Sequence, residues 1–144
     1  MNTEAINISI VSELLLEDVL NCVLYENGII EIFWDTRIEV IEIVHLKHVQ
    51  QSLEKLGKGK KMPIFFTAHD FLTVSSDARL FAASEEGTIY TLANAVLIDS
   101  LPKKLLFNFF INFNKPIAPT RGFTSKREAF DWLTAKLNEI SVAD

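Results

Sequence analysis

The side chains able to do chemistry in this chain are few, and most stand just after apolar runs. Asp35, Asp70 and Asp99 are carboxylates of this kind, and His69 sits beside Asp70. Three acidic groups on one rim could hold Mg²⁺ together with water. Asp35 and Asp99 each also precede a helical pattern, where a carboxylate accepts hydrogen bonds from the first free backbone N–H groups. Capping accounts for both, so no metal is assigned. His69, Asp70 and Ser75 are the residue types of a hydrolytic triad. The Gly-x-Ser-x-Gly turn that exposes such a nucleophile is missing. His45 and His48 stand at i, i+3 with Glu42 three residues earlier, but a di-metal bundle needs a second such motif. Neither a Gly-x-Gly-x-x-Gly nor a Walker loop is present, which argues against dinucleotide and P-loop sites. Ser75, Ser76 and Asp77 open a helical segment. They suit capping of orphan N–H groups, and a phosphate there would gain from the helix dipole and from nearby Arg79. Arg79 could instead pair with Asp77 or Glu85. The ligand or switch candidates are therefore Asp35, His69, Asp70, Ser75, Ser76, Arg79 and Asp99. No catalytic residue, metal or cofactor is assigned, and the expected protein is not an enzyme.

These residues must be positioned by alternating strands and helices. Ile6, Ile8 and Ile10 alternate with polar residues and predict a short edge strand, whereas residues 12–18 show no clear period. Residues 19–25 and 29–34 read as a β-hairpin, with Asn27-Gly28 favouring a type I′ turn. Asp35-Thr36 supplies N-cap chemistry for a helix over about 37–56, with Gly57 as its stop. Residues 63–67 form a short apolar strand of the kind buried on both faces. A second helix follows Ser75-Ser76-Asp77 and runs toward Gly87, where Glu85 and Glu86 sit badly against the negative end of the dipole. Residues 93–98 read as a central strand. Asp99-Ser100 then cap a helix with Pro102 in its first turn, and Pro116 prevents continuation beyond about 114. Residues 120–123 make a last strand, and the capping box Ser125-Lys126-Arg127-Glu128 opens a final helix over 126–140. Alternation of β and α elements implies a parallel sheet, and ligands of open α/β sheets bind at the carboxyl ends of the strands.

Composition narrows the class. The chain has 144 residues, which suits one domain, and is 49% hydrophobic and 23% charged, which is globular. Its formal net charge of −5 argues against broad nucleic-acid binding. Lys55, Lys58, Lys60 and Lys61 cluster at a helix end, where cations suit the dipole. The single cysteine, Cys22, lies in an apolar strand pattern and cannot form an internal disulfide. No basic n-region opens the chain, and no apolar run reaches the ~18 residues of a membrane span. The expectation is a cytoplasmic protein without a transmembrane segment.

A hairpin followed by successive α/β steps resembles the SpoIIAA-like, or STAS, fold. The stretches Asp70-Phe71-Leu72, Ser76-Asp77-Ala78-Arg79, Phe81-Ala82, Ala95-Val96, Asn114-Lys115-Pro116 and Ala129-Phe130-Asp131-Trp132-Leu133 are similar to uncharacterised bacterial proteins labelled STAS/SEC14-like. The resemblance covers roughly residues 19–137. It implies a mixed, mostly parallel sheet with an N-terminal hairpin and four helices. In the anti-sigma factor antagonists of this fold, phosphorylation of a serine at the start of the second helix switches binding to a kinase. Ser75 and Ser76 stand at the matching place, with Val74-Ser75-Ser76-Asp77-Ala78-Arg79 replacing the antagonist pattern.

The helix after Pro102 is apolar nearly all round. Leu105, Leu106, Phe109, Phe110 and Phe113 cover one broad face, Phe107 and Ile111 another, and Lys104, Asn108 and Asn112 a narrow polar stripe. A helix on a sheet buries only one stripe, so the surplus needs another surface. Phe107, Phe109, Phe110, Ile111 and Phe113 are the interface candidates. The expected function is a non-catalytic regulatory or protein-interaction domain, bound to itself as a homodimer or to another protein. The alternative is a small-ligand or lipid-binding domain, using the carboxyl-end rim or a pocket under the Phe-rich helix.

Overall fold

The computed structural model describes residues 7–143. The chain passes through β1 (Ile10–Leu16), β2 (Leu20–Tyr25), β3 (Ile30–Trp34), β4 (Val40–Ile41), α1 (Ile43–Gly57), β5 (Met62–Thr67) and β6 (Thr73–Val74). It continues through α2 (Ser76–Ala83), β7 (Thr91–Leu97), α3 (Leu101–Phe109), β8 (Thr120–Phe123) and α4 (Lys126–Ala143). Six strands form one sheet in the order β1-β2-β3-β5-β7-β8. β1, β2 and β3 pair antiparallel, and β3, β5, β7 and β8 pair parallel. The mixed, mostly parallel sheet and the four α-helices among the described residues match the expected fold class.

Several local expectations change. Ile6 lies outside the described residues. The edge strand starts at Ile10 and takes in residues 12–16, whose period the sequence hides because leucines point both ways. Leu14 and Leu16 pack toward the core, whereas Leu15 is exposed. The β2–β3 hairpin has one left-handed residue, Gly28 at φ +88°, and not the pair that a type I′ turn needs. Gly28 N donates to Tyr25 O and Tyr25 N to Ile29 O, both at 2.9 Å. This is a three-residue loop in which a left-handed glycine closes a tighter turn.

The first helix begins at Ile43 rather than near Arg37. Ile38, Val40 and Ile41 are β-branched, and β-branching favours extended backbone. β4 pairs in parallel with β6, Val40 opposite Thr73 and Ile41 opposite Val74. Glu42 becomes the N-cap, and its backbone N–H donates to His45 Nδ1 at 2.8 Å. His45 thus serves the capping box, where a Glu or Gln more often stands. Asp35 makes a local turn instead, accepting from Arg37 N at 2.8 Å. The helix stops through Lys58 and Gly59, both left-handed. Gly57 is its last residue, and a Cβ there would lie 2.6 Å from Met62 Cγ. The second helix ends at Ala83, so Glu85 and Glu86 lie beyond its dipole. The third helix continues past Phe109 as a wider π turn over Phe110–Asn114.

The sheet has two unequal covers. One face carries α1, whose Val49 and Leu53 pack on Leu20, Cys22, Ile30, Ile32 and Ile64. α2 and the end of α3 extend this layer over β5 and β7. The other face carries α4, whose Ala129, Phe130 and Leu133 pack on Ile29, Phe65, Ala93, Ala95 and Phe123. Beside this core Glu31 is only 1% exposed. It accepts from Tyr25 OH at 2.7 Å and pairs with Lys126 Nζ at 2.9 Å. The ammonium also stands 5.7 and 5.3 Å from the Tyr25 and Phe130 rings. This network ties the start of α4 to the hairpin, because a buried carboxylate without its partners is costly.

Candidate functional site

The sequence candidates separate in space. Asp35 belongs to a surface cluster with Arg37 and Asp18. The Arg37 guanidinium and backbone N–H bonded to it hold its carboxyl below the usual range. Asp70 and Asp99 do converge, but on a cation. Lys103 Nζ lies 2.8 Å from Asp99 Oδ1 and 3.7 Å from Asp70 Oδ1. Among the described residues no group of three or more His, Cys, Asp or Glu could hold a metal. Ser75 is the N-cap of α2, its Oγ accepting from Ala78 N at 3.2 Å. Ser76 is the exposed first residue of α2. Ser100, not Asp99, caps α3.

His69 is structural. Its Nδ1 accepts from Phe71 N at 3.2 Å, so Nε2 carries the proton that bonds Ile38 O at 2.8 Å. One imidazole thereby joins the loop after β3 to the loop after β5. Cys22 is buried, and burial pushes its thiol up to about 12, which makes it inert near neutral pH.

The candidates lead instead to a cavity. α3 has no fully buried residue along Leu101–Phe109. It stands off the sheet, and beneath it lies a cavity of about 180 Å³. Its floor includes Trp34, Phe66 and Val96, and its roof Leu106, Phe107 and Phe110. His69, Arg79 and Lys103 are the basic groups in its wall. A second cavity of about 110 Å³ adjoins it, sharing Leu46, Phe66, Ala82, Val96 and Phe110. One sequence feature helps leave this space: Ala82 puts only a methyl group where α2 faces the sheet. Gly122 acts oppositely, letting Ile98 and Phe107 pack closely on β8, since their nearest atoms would lie 2.5 and 3.1 Å from an added Cβ. The cavity lies near the strands' carboxyl ends, the rim where open α/β sheets bind ligands.

The interface candidates are thus divided. Phe107 and Phe110 turn inward to line the cavity, and Ile111 is half-buried. Phe109 and Phe113 face out and stack on each other, with ring centroids 4.4 Å apart. Leu101 and Leu105 continue this exposed stripe. Trp34 and Lys103 were not sequence candidates. Lys103 could have been found from its i, i+4 spacing after Asp99.

One solved structure shares the architecture. An uncharacterised protein of the DUF3478 family with a SpoIIAA-like fold, from Shewanella loihica PV-4, is similar with a TM-score of 0.51 and 14% identity. The similarity covers 92% of this chain and 98% of that one. A protein of unknown function from Arthrobacter sp. FB24 is similar at 23% identity over 78% of this chain and 96% of its own, with a TM-score of 0.29. No curated protein matches the sequence. Among the described residues no helix is long and apolar enough to cross a membrane. The fold is SpoIIAA-like. Residues 23–136 match the family described as "Domain of unknown function (DUF7793)", and the chain belongs to it.

Proposed function

We propose that this is a non-catalytic binding domain that takes a small, largely apolar molecule into the cavity beneath α3. The observation that carries the reading is the cavity itself, walled mainly by apolar and aromatic side chains. Such a concave apolar site with a few polar groups is the usual form of a small-molecule pocket. Cavities of about 150 Å³ hold a molecule the size of benzene, so this one suits about six to ten heavy atoms. The polar groups nearby support a binding rather than a catalytic role. Both ring nitrogens of His69 and the Ser75 hydroxyl are engaged with backbone groups. Cys22, buried and unpaired, fits a reducing cytoplasmic setting.

Trp34 lines the cavity, whereas Trp132 packs against Phe123 in the α4 layer. A Trp132→Phe chain therefore carries one tryptophan, at the site. Titration with 1-octanol is expected to change Trp34 emission saturably. A response that only rises linearly with added alcohol would overturn the reading.

A regulatory, protein-interaction role is the second reading, supported by the outer face of α3. Leu101, Leu105, Phe109 and Phe113 are exposed there at four-residue spacing. An i±4 ridge packs into the same ridge of another helix at about −50°, and a two-fold axis makes one patch self-complementary. The proposed occupant is a second copy of this chain. A dimer in sedimentation velocity that Phe113→Glu dissolves supports this, and a strict monomer removes it.

A further inference from the structure

We infer that Arg79 binds the anionic head, a carboxylate or phosphate, of an amphipathic small molecule whose apolar body fills the cavity beneath α3. The inference rests on the binding role proposed above and names the ligand's chemical class and its anchor. Three basic groups border the cavity, and two are already committed. His69 joins two loops through both ring nitrogens. Lys103 is neutralised by Asp99 and approached by Asp70.

Arg79 differs from both. Its carboxylate candidates, Asp77 and Glu85, do not pair with it, and among the described residues no other carboxylate does. One terminal nitrogen donates to Val74 O. The Nε atom is buried and has no hydrogen-bond partner among the described residues. The Phe109 ring covers the guanidinium at 4.9 Å. A guanidinium carries five N–H donors in a planar fork that matches carboxylate and phosphate oxygens. A buried donor left unmet costs free energy, and native structures rarely keep one without a reason. The wall around it is apolar, which strengthens its attraction for an anion. The buried Nε itself does not open onto the cavity, but an acidic head beside the Arg79 side chain in the wall supplies the negative charge that no carboxylate of the described residues provides. The apolar body then lies along Phe66, Val96 and Phe107.

The test uses the full chain with Trp132→Phe and three probes of equal chain length: octanoate, octyl phosphate and 1-octanol. At least one acid is expected to bind about tenfold or more tightly than the alcohol, which is about 1.4 kcal/mol. The tighter acid identifies the head. Arg79→Met is expected to abolish this preference, bringing the acids to within about twofold of the alcohol in the same variant. Far-UV circular dichroism and a cooperative urea transition show that the variant is folded. Arg79→Lys keeps the charge but not the fork, and is expected to retain part of the preference. Acids no tighter than octanol, or a preference that survives Arg79→Met, would overturn the anchor and leave the cavity reading standing. No saturable octanol response in the parent chain would remove the cavity reading, and the anchor with it.

Discussion

Replacement of Ala82 by leucine tests the cavity through the sign of its effect. Ala82 lines both adjoining cavities, between α2 and the sheet. Leucine adds about three carbon groups at about 0.8 kcal/mol each, so filling empty space could stabilise the fold by up to ~2.4 kcal/mol. Ordering the new side chain takes back about 0.5–1 kcal/mol. The expected net gain is about 1.5 kcal/mol, or a Tm higher by roughly 5 °C for a domain of this size. If α3 packed tightly on β5 and β7, the same carbons would be overpacked and would cost about 1–3 kcal/mol. Urea denaturation followed by far-UV circular dichroism measures the difference. The Trp34 response to 1-octanol should weaken in the same variant, because the added carbons occupy the ligand's volume. A loss of stability above ~1 kcal/mol with unchanged octanol binding would refute the argument from cavity volume.

Two further outcomes follow from the buried polar groups. Lys126→Met should cost about 2–4 kcal/mol in urea denaturation, because it strands the Glu31 carboxylate, and the partial exposure of Lys126 keeps the loss below a fully buried pair's. Adding Glu31→Gln should recover much of that loss; a single-variant cost below ~1 kcal/mol would show that the pair does not matter. Stability should also fall at alkaline pH. Burial raises the Cys22 thiol from 9.0 to about 12, and burial with the Glu31 hydrogen bond raises the Tyr25 phenol. A folded pKa above the unfolded one gives stability that is complete below the unfolded value and lost as pH rises through the folded one. For Cys22 the window is pH 9 to 12, with about 2–3 kcal/mol gone by pH 11. Cys22→Ala should flatten that limb of the profile, and an equally steep limb in the variant would reject the assignment.

Much of the framework was legible because its signals are local. The apolar runs of β2, β3, β5 and β7 are short and bounded by turn residues, and Ser75 and Ser100 read correctly as residues beside helix starts. The start of α1 was not legible. Residues 37–42 satisfy helical spacing, but β4 gains a partner in β6 more than thirty residues away, and that pairing decides the backbone. The leucines of β1 also carried no readable period, because Leu15 between the inward Leu14 and Leu16 is apolar yet faces solvent. Among the site residues, Arg79 was visible as a basic group at the start of α2. Its lack of an ion pair with Asp77 or Glu85 was not, since sequence proximity does not fix where the guanidinium points.

The sequence by itself determined a mixed α/β domain, the approximate strands and an α3 more apolar than one buried stripe requires. Hydrophobic burial and capping act over a few residues, so type and spacing record them directly. Only the tertiary structure decided how α3's surplus is shared: Phe107 and Phe110 over a cavity, Phe109 and Phe113 toward solvent. It also separated Asp35 from Asp70 and Asp99 and placed the latter two beside Lys103. A cavity is the volume left between elements far apart in the chain. Its volume depends on how Ala82 of α2, Phe66 and Val96 of the sheet and the Phe107 and Phe110 rings above them fit together, which no single segment encodes.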